Sequence, residues 1–456
     1  MPIFLLFVDA LSAFDKVLPQ LLVRNLFFHG INRDTLSYIK NRLTSRSTVY
    51  EWDKTLMGPA RDLTGLEQGG VPSGDFYKVH NNEQIEAAQK SKQGVDIGSS
   101  VISAAAQADD VLLTTNDIYS LQNLIDLTSS YCKRFNVHLC PEKTKLLVIC
   151  SKSCRDLAEY SKSINPINID GVKIEFSTSA EHVGVLRSTT GNLPNILDRV
   201  AAHKKALGSV LAAGLARGHR GNLAAALKVE KLYACPVLMS GLASLFMTKS
   251  EVNIIANHYK STLENIQKFH QRTPAPVIFF MAGSLPGSAI LHIRQLTLFS
   301  MICRLPEDPL NLHARYILCS TKKSTNSWFH QIRNLCLQYQ LPHPVELLDN
   351  PPQKDQFKRK LKSQVTSYWE SKLREECSLL PSLRYFNPAF MSLANPHPLW
   401  TTAGSSPFEV NKACVQAKML SGRFRQRICA ASGLQIEKDS VLPQNVSMKS
   451  KTWNTS

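Results

Sequence analysis

The sequence predicts an α+β domain over about the first 190 residues, followed by a mostly α-helical remainder. Three observations carry this expectation. Short apolar runs alternate with helical periodicities up to that point. The stretch INIDGVKIEF at 167–176 sets Asp170-Gly171 between two such runs, a strong signal for a tight hairpin. After Asn192 the texture changes to segments rich in Ala, Leu and Lys with helical period, which continue to residue 268.

The elements follow in order. IFLLFV at 3–8 is a short continuous apolar run, as expected for a strand covered on both faces. Pro19 opens a helix with Leu22, Leu26 and Phe27 on one side and Gly30 at its end. A second helix fits 35–44, where Leu36, Ile39 and Leu43 share a face, and Ser73 is placed to cap a third through Phe76, Val79 and Ile85. VISAAAQADDVLL at 101–113 reads as a hairpin with Gln107 to Asp110 at its turn. Asn116 or Asp117 caps a long amphipathic helix carrying Ile118, Leu121, Ile125, Tyr131 and Phe135. Strands at 137–139 and 145–150, the 167–176 hairpin and EHVGVLR at 181–187 complete the sheet-rich part. The order is β-α-α-(β)-α-β-β-α-β, then hairpins, with the sheet on one side. Beyond it, GLARGHRG at 214–221 breaks the helical pattern, and proline-punctuated helices span 275–320. The charged and then proline-rich stretch 345–400 suggests linkers between short helices, and the polar end from about 433 suggests a disordered tail.

Bulk composition narrows the function classes. The chain has 456 residues, 43% of them hydrophobic, which suits two to three domains. Lys and Arg total 53 against 36 Asp and Glu, a net charge of +17. Such a surplus favours a polyanion, either nucleic acid or an acidic membrane face, though a merely basic soluble protein has the same signature. The eleven cysteines have no C-x-x-C and no regular spacing, which reads as reduced thiols. Cys150 and Cys154 with His182 lack a fourth metal ligand and read as buried thiols instead. The apolar N-terminus has no basic leader and is interrupted by Asp9, and no uncharged stretch reaches the length of a membrane span, so the chain reads as soluble and intracellular, in nucleus or cytoplasm, and not secreted. FKRKLK at 357–362 is a candidate import cluster.

Three carboxylates stand out by placement. Asp9 ends an apolar strand, and Asp109 with Asp110 occupies a hairpin apex. If neighbouring strands bring them to one sheet edge, their mutual repulsion is relieved by a cation. Clustered carboxylates of this kind suit Mg²⁺ and metal-assisted phosphoryl transfer. Taken singly, each also fits a structural role, since Asp-Asp is a common turn element and an Asp after a strand often caps a helix.

The order of these residues resembles the palm of reverse transcriptases, in the style of non-LTR, jockey-like retrotransposons. FVDALSAFDKV at 7–17 is similar to motif A, GLEQGGVPSGDFYK at 65–78 to motif B and QADD at 107–110 to motif C. CPEKTKLLV at 140–148 is similar to motif D and HVGV at 182–185 to motif E. The resemblance covers residues 1 to about 190, with a looser likeness downstream that includes IRQLTLFSMICRLP at 293–306. It implies a right-hand polymerase palm built on a ferredoxin-like sheet with helices on one face. Its division of the chain is a palm at 1–190, a helical thumb at 191–270, a helical downstream region at 271–432 and the tail at 433–456.

The implied activity is RNA-directed DNA synthesis from dNTPs on an RNA template and DNA primer, with no membrane partner. Two Mg²⁺ ions serve it, Mn²⁺ being a substitute. In this sequence Asp9 and Asp109 would bind the metals, Asp110 would assist, and Lys143 would protonate or neutralise the departing pyrophosphate. Phe14 would lie under the incoming sugar and select against a 2′-hydroxyl; without the resemblance it reads equally as a core residue. Gln68 and Gly69 would line the nucleotide and template pocket, and Gly184 would form the primer-grip turn. Lys204, Lys205, Arg217, His219 and Arg220 would track a duplex backbone, or else make an ordinary solvated face. Two departures stand out: Gln107 precedes ADD where an aromatic is usual, and Ser73-Gly74 replaces Ser-Pro in motif B. Motif A begins within ten residues of Met1, leaving no room for the fingers that hold the triphosphate in the family, so weak or no activity in isolation is expected. The rival expectation is a non-catalytic remnant that binds RNA or RNA–DNA hybrids.

Overall fold

The computed structural model describes residues 2–67, 69–97, 100–149, 166–210, 222–319, 327–404 and 406–422. The chain opens with strands β1 (Ile3–Val8) and β2 (Ala10–Leu11), helices α1 (Pro19–Phe28) and α2 (Arg33–Thr44), and the hairpin β3 (Ser47–Trp52) to β4 (Thr55–Arg61). Helix α3 (Ser73–Lys90) leads through β5 (Val95–Ile97) and β6 (Ser100–Ile102) to the hairpin β7 (Ala104–Gln107) and β8 (Asp110–Thr115). Helix α4 (Ile118–Phe135), β9 (His138–Leu139) and β10 (Lys145–Ile149) follow. Two hairpins close this part: β11 (Ile167–Ile169) with β12 (Val172–Ile174), and β13 (Ser179–His182) with β14 (Val185–Ser188).

The central sheet is antiparallel throughout, with spatial order β10-β1-β8-β7. Among its own strands in chain order this is fourth, first, third, second, the arrangement of a βαββαβ ferredoxin-like unit. Side-chain alternation divides the sheet. Phe4, Leu6 and Val8 of β1 join Val111, Leu113, Leu146 and Val148 in one core, closed by Ala88 of α3 and Leu121, Leu124 and Ile125 of α4. On the opposite face Leu5, Phe7, Leu112 and Leu147 pack with Ala180 of β13. Helices therefore cover one face, as the sequence predicts, and each fully buried Leu there contributes roughly 1.5–3 kcal/mol.

Local signals explain most boundaries. Asn32 caps α2 by accepting the Thr35 amide at 2.8 Å, and Asp117 caps α4 by accepting that of Ser120 at 2.7 Å. Asp170 and Gly171 both have positive φ, 48° and 84°, which a two-residue hairpin of this hand requires.

Several expectations are corrected. Ser73 begins α3 but does not cap it; Pro72 holds that position, with no side-chain cap. The inward face of α3 is Tyr77, His80, Asn81, Gln84 and Ala88, with Phe76, Val79 and Ile85 only half-buried, because the helix lies between the sheet and α1. Phe27 projects into solvent instead of joining Leu22 and Leu26. The strand expected between α2 and α3 is a whole hairpin, and it stands almost free: Val49, Tyr50, Trp52, Leu56 and Met57 are all exposed. Its base is held by Arg46, which contacts Asp62 at 2.9 Å, while Thr48 donates to the same carboxylate at 2.6 Å.

Downstream, the described residues are helical. Helix α5 (Leu193–Val210) is followed by α6 (Leu223–Val229), a π-helical turn at Glu230–Ala234, α7 (Cys235–Leu238) and α8 (Lys249–Ile266). Then come α9 (Ala275–Ala282), α10 (Gly287–Cys303), α11 (Pro309–Cys319), α12 (Trp328–Gln338), α13 (Pro344–Asp349), α14 (Lys354–Ser378), α15 (Pro398–Thr402) and α16 (Pro407–Leu420). The 25-residue α14 replaces the linkers and short helices expected within 345–400 over Lys354–Ser378, while the rest of that stretch holds short helical elements as expected. Its buried Phe357, Leu361, Val365, Leu373 and Cys377 form a stripe at spacings of four and eight residues, which the dense surrounding charge obscures.

One core joins Ile196 and residues of α6 to α9 with Leu373, Trp400, Val410 and Ala417. A second is built from α10 to α13 and the first half of α14. Deep in the first, Glu230 and His203 are fully buried; His203 Nε2 lies 3.0 Å from Glu230, and His203 Nδ1 lies 2.9 Å from His258. No single described helix is long and apolar enough to cross a membrane. All cysteines among the described residues are free, and only Cys319 of them is exposed.

Candidate active site

Register places the carboxylates. Strand β1 pairs with β8 through Val8 opposite Val111; Asp9 directly follows β1, and Asp110 is the first residue of β8. Asp110 falls in the same alternation as Leu112, and its charge acts on His182, so it sits on the face that α3 and α4 do not cover. Asp109 lies in the turn between Gln107 and Asp110, where Ala108 takes the positive φ of 55°. The apex is fixed from behind by the buried Asn81 of α3, whose side-chain amide donates to the Ala108 carbonyl at 3.4 Å. Gln89 anchors the other end of β7, donating to the Ala104 carbonyl at 3.1 Å and accepting from the Ser103 amide at 3.0 Å.

The end of β1 is tied to the 140–144 turn. The Asp9 carbonyl accepts the Cys140 amide at 2.8 Å, and the Asp9 amide donates to Thr144 Oγ1 at 3.4 Å. This turn brings Lys143 to the carboxylates, its Nζ 3.7 Å from Asp9 Oδ2. Both groups are well exposed, so the pair adds little to stability. Its value lies in placing an ammonium at the edge of the site.

A second wall comes from the 12–17 turn and α3. The Phe14 carbonyl accepts the Leu66 amide at 2.9 Å, and the Val17 carbonyl accepts that of Gly65 at 2.8 Å. Gly65 is required there: it has φ of 90°, and a Cβ would stand 3.0 Å from the Asp15 backbone. The entry to the GLEQGG loop is thereby sewn to Phe14. The Phe14 ring stacks on Tyr77, with centroids 4.6 Å apart and planes 23° from parallel. Burial, together with the charge of Asp109, pushes the Tyr77 hydroxyl well above its ordinary range, so it stays a neutral phenol.

Beneath Tyr77 lies His80, 1% exposed, with no partner for either ring nitrogen. Burial lowers its pKa to about 4, so the folded chain holds the neutral ring while an unfolded chain protonates it near 6.5. Its contribution is whole above pH 6.5 and is lost as pH falls toward 4. Urea titrations should show stability declining by about 3 kcal/mol across that window through this residue, and His80→Phe should flatten the decline.

The β13–β14 hairpin faces the same side of the sheet. Val183 and Gly184 turn it with φ of 52° and 66°, and His182 packs on Phe7 with centroids 5.1 Å apart. Burial lowers the His182 pKa, while the nearby Asp110 charge acts in the opposite direction.

Of the sequence candidates, Asp9 and Lys143 are brought together, Asp109 and Asp110 share the β7–β8 turn and the start of β8, and Phe14 stacks on Tyr77, which feels the charge of Asp109. Gly69 has φ of 84° with open space around it, whereas Gln68 beside it lies outside the described residues. Lys204 and Lys205 are exposed on α5 and form no ion pair among the described residues, while Arg217, His219 and Arg220, like Cys150 and Cys154, lie outside the described residues. Sequence reasoning missed Tyr77, Asn81 and Thr144. Asn81 was the detectable one, a polar side chain on the inward stripe of an otherwise amphipathic helix.

Asp9, Asp109 and Asp110 offer only oxygen donors, the type hard divalent cations take. Yet among the described residues no three His, Cys, Asp or Glu side chains converge closely enough to hold an ion. Comparison with curated proteins found no match. Residues 2–182, most of the α+β part of the chain, do match a family model, that of reverse transcriptase (RNA-dependent DNA polymerase).

Proposed function

We propose that this chain transfers dNMP units to the 3′-hydroxyl of a DNA primer on an RNA template, as a polymerase of the non-LTR retrotransposon type. The observation that supports the reading is the pairing of β1 with β8 up to Val8 opposite Val111, so that Asp9 follows the end of one strand while Asp110 opens the other and Asp109 lies in the turn before it. Asp9 and Asp109 would hold Mg²⁺, with Asp110 as auxiliary, and bound divalent ions would stabilise charge on the attacking and leaving oxygens. The protein's own work is positioning. The main chain of the Phe14 and Leu66 segments fixes the pocket wall, the Phe14 ring excludes a 2′-hydroxyl, and Lys143 offers a proton or a positive charge to the leaving pyrophosphate. Gly69 leaves the backbone bare where a base or phosphate approaches.

Primer extension on an RNA template with Mg²⁺, compared with the same reaction after chelation, tests the reading. Phe14→Ala should lower the preference for dNTP over rNTP by roughly tenfold or more, since a steric wall is removed and no hydrogen bond is lost. Unchanged discrimination would place Phe14 in the core alone. The second reading, a non-catalytic binder of RNA or RNA–DNA hybrid, is favoured by the absence of three converging metal donors among the described residues. It expects hybrid binding without synthesis.

A further inference from the structure

The first nine residues of α14, KDQFKRKLK, hold five cations and one acid, Lys354, Lys358, Arg359, Lys360 and Lys362 against Asp355, a net +4 by 5 − 1. The stripe of Phe357, Leu361 and Val365 is buried in the second helical core, so all five cations are left facing water. None of the five is in an ion pair among the described residues, in contrast to Lys90, Lys133 and Lys412, which pair with Glu86, Asp170 and Glu409. The second half of the same helix is different again, since Arg374 there pairs with Glu370.

A sixth cation is added from another element. Lys231 belongs to the π-helical turn and donates to the Ala394 carbonyl at 3.4 Å. Burial and the neighbouring Lys362 charge both push its pKa down, an electrostatic cost that an anion between the two would relieve. Lys354, Lys358 and Lys362 recur every fourth residue, about 6 Å of rise per step, so successive ammonium groups can each meet a separate phosphate.

We infer that the Lys354–Lys362 face, together with Lys231, is a docking surface for the phosphate backbone of nucleic acid, set apart from the polymerase-like domain. A lipid surface fits less well, because a membrane-bound helix must offer an apolar side to the acyl layer and that side of α14 is locked into the protein's cores. The surface goes beyond the proposed activity and does not depend on it.

The test is equilibrium binding of the whole chain to labelled duplex DNA over a salt series, with chelator present and nucleotide omitted. The slope of log affinity against log salt should flatten by about 3 to 4 in the fourfold variant Lys358→Gln, Arg359→Gln, Lys360→Gln, Lys362→Gln, and by about 1 in Lys231→Gln. Thermal melting should match wild type, and replacing Lys358, Lys360 and Lys362 by Arg should preserve the slope. The control pair Lys90→Gln, Lys412→Gln should leave the slope within a fraction of one unit per residue. An unchanged slope in the fourfold variant overturns the inference, as does equal flattening in the control. So does tighter binding of the wild type to a poly-glutamate peptide or to anionic vesicles than to the duplex. Because no synthesis is measured, an inactive polymerase would leave each of these outcomes readable.

Discussion

Asp109→Asn should cut nucleotide incorporation on an RNA template by at least about a thousandfold, the scale expected when several kcal/mol of charge stabilisation are removed. The substitution keeps the shape of the side chain and removes its charge. Asn81 would still hold the Ala108 carbonyl, and the pairing of Gln107 with Asp110 would still define the turn, so thermal melting should stay near that of wild type. Binding of an RNA–DNA hybrid should also persist. Synthesis by Asp109→Asn at wild-type rate would remove the carboxylates from the chemistry and leave the hybrid-binding reading in their place.

Trp400→Ala should destabilise the helical part of the chain by at least about 3–5 kcal/mol, the usual range for emptying a large aromatic site. Trp400 is fully buried, and its indole N–H donates at 3.1 Å to Gln267, itself fully buried. Gln267 in turn donates to the carbonyls of Leu263 and Ile278, both at 3.1 Å. Removing the indole thus leaves a cavity and an acceptor without its donor. Nearby, Gly283 lets the chain pass close to Asn395, and the His397 amide donates to the Met281 carbonyl at 3.0 Å. Segments more than a hundred residues apart in sequence are therefore interlocked. In denaturant titration, Trp400→Ala combined with Gln267→Leu should cost less than the sum of the two single changes. Full additivity would show that the pair is not coupled.

The parts of this protein that could be read from its sequence share a physical character. β1 is an uninterrupted apolar run, β8 and β10 carry the apolar stretches VLL and LLVI, Asp170-Gly171 admits few conformations, and Asp117 announces a helix start. Each signal is local, and each survives folding. The strand-end and turn positions of Asp9, Asp109 and Asp110 were legible for another reason: charged residues directly after or between apolar runs mark where a strand stops and a hairpin turns. What escaped depends on long-range packing. Tyr77 and Asn81 matter through Phe14 and Ala108, whose positions only the folded chain reveals. The length of α14 was hidden because its charge speaks for solvent while its sparse stripe at 357, 361 and 365 speaks for a core.

The hairpin formed by β3 and β4 is held differently from the rest of the fold. A two-stranded ladder with nearly every side chain in water has little packing of its own to hold it together. Its order is imposed at the root by Arg46 and by Asp62, whose carboxyl is held below the usual range by the Thr48 hydroxyl and then by Arg46. Opening the tip while that root stays closed would expose little new apolar surface, so this arm can fray and re-form as a separate cooperative unit while the sheet bearing Asp9 remains intact.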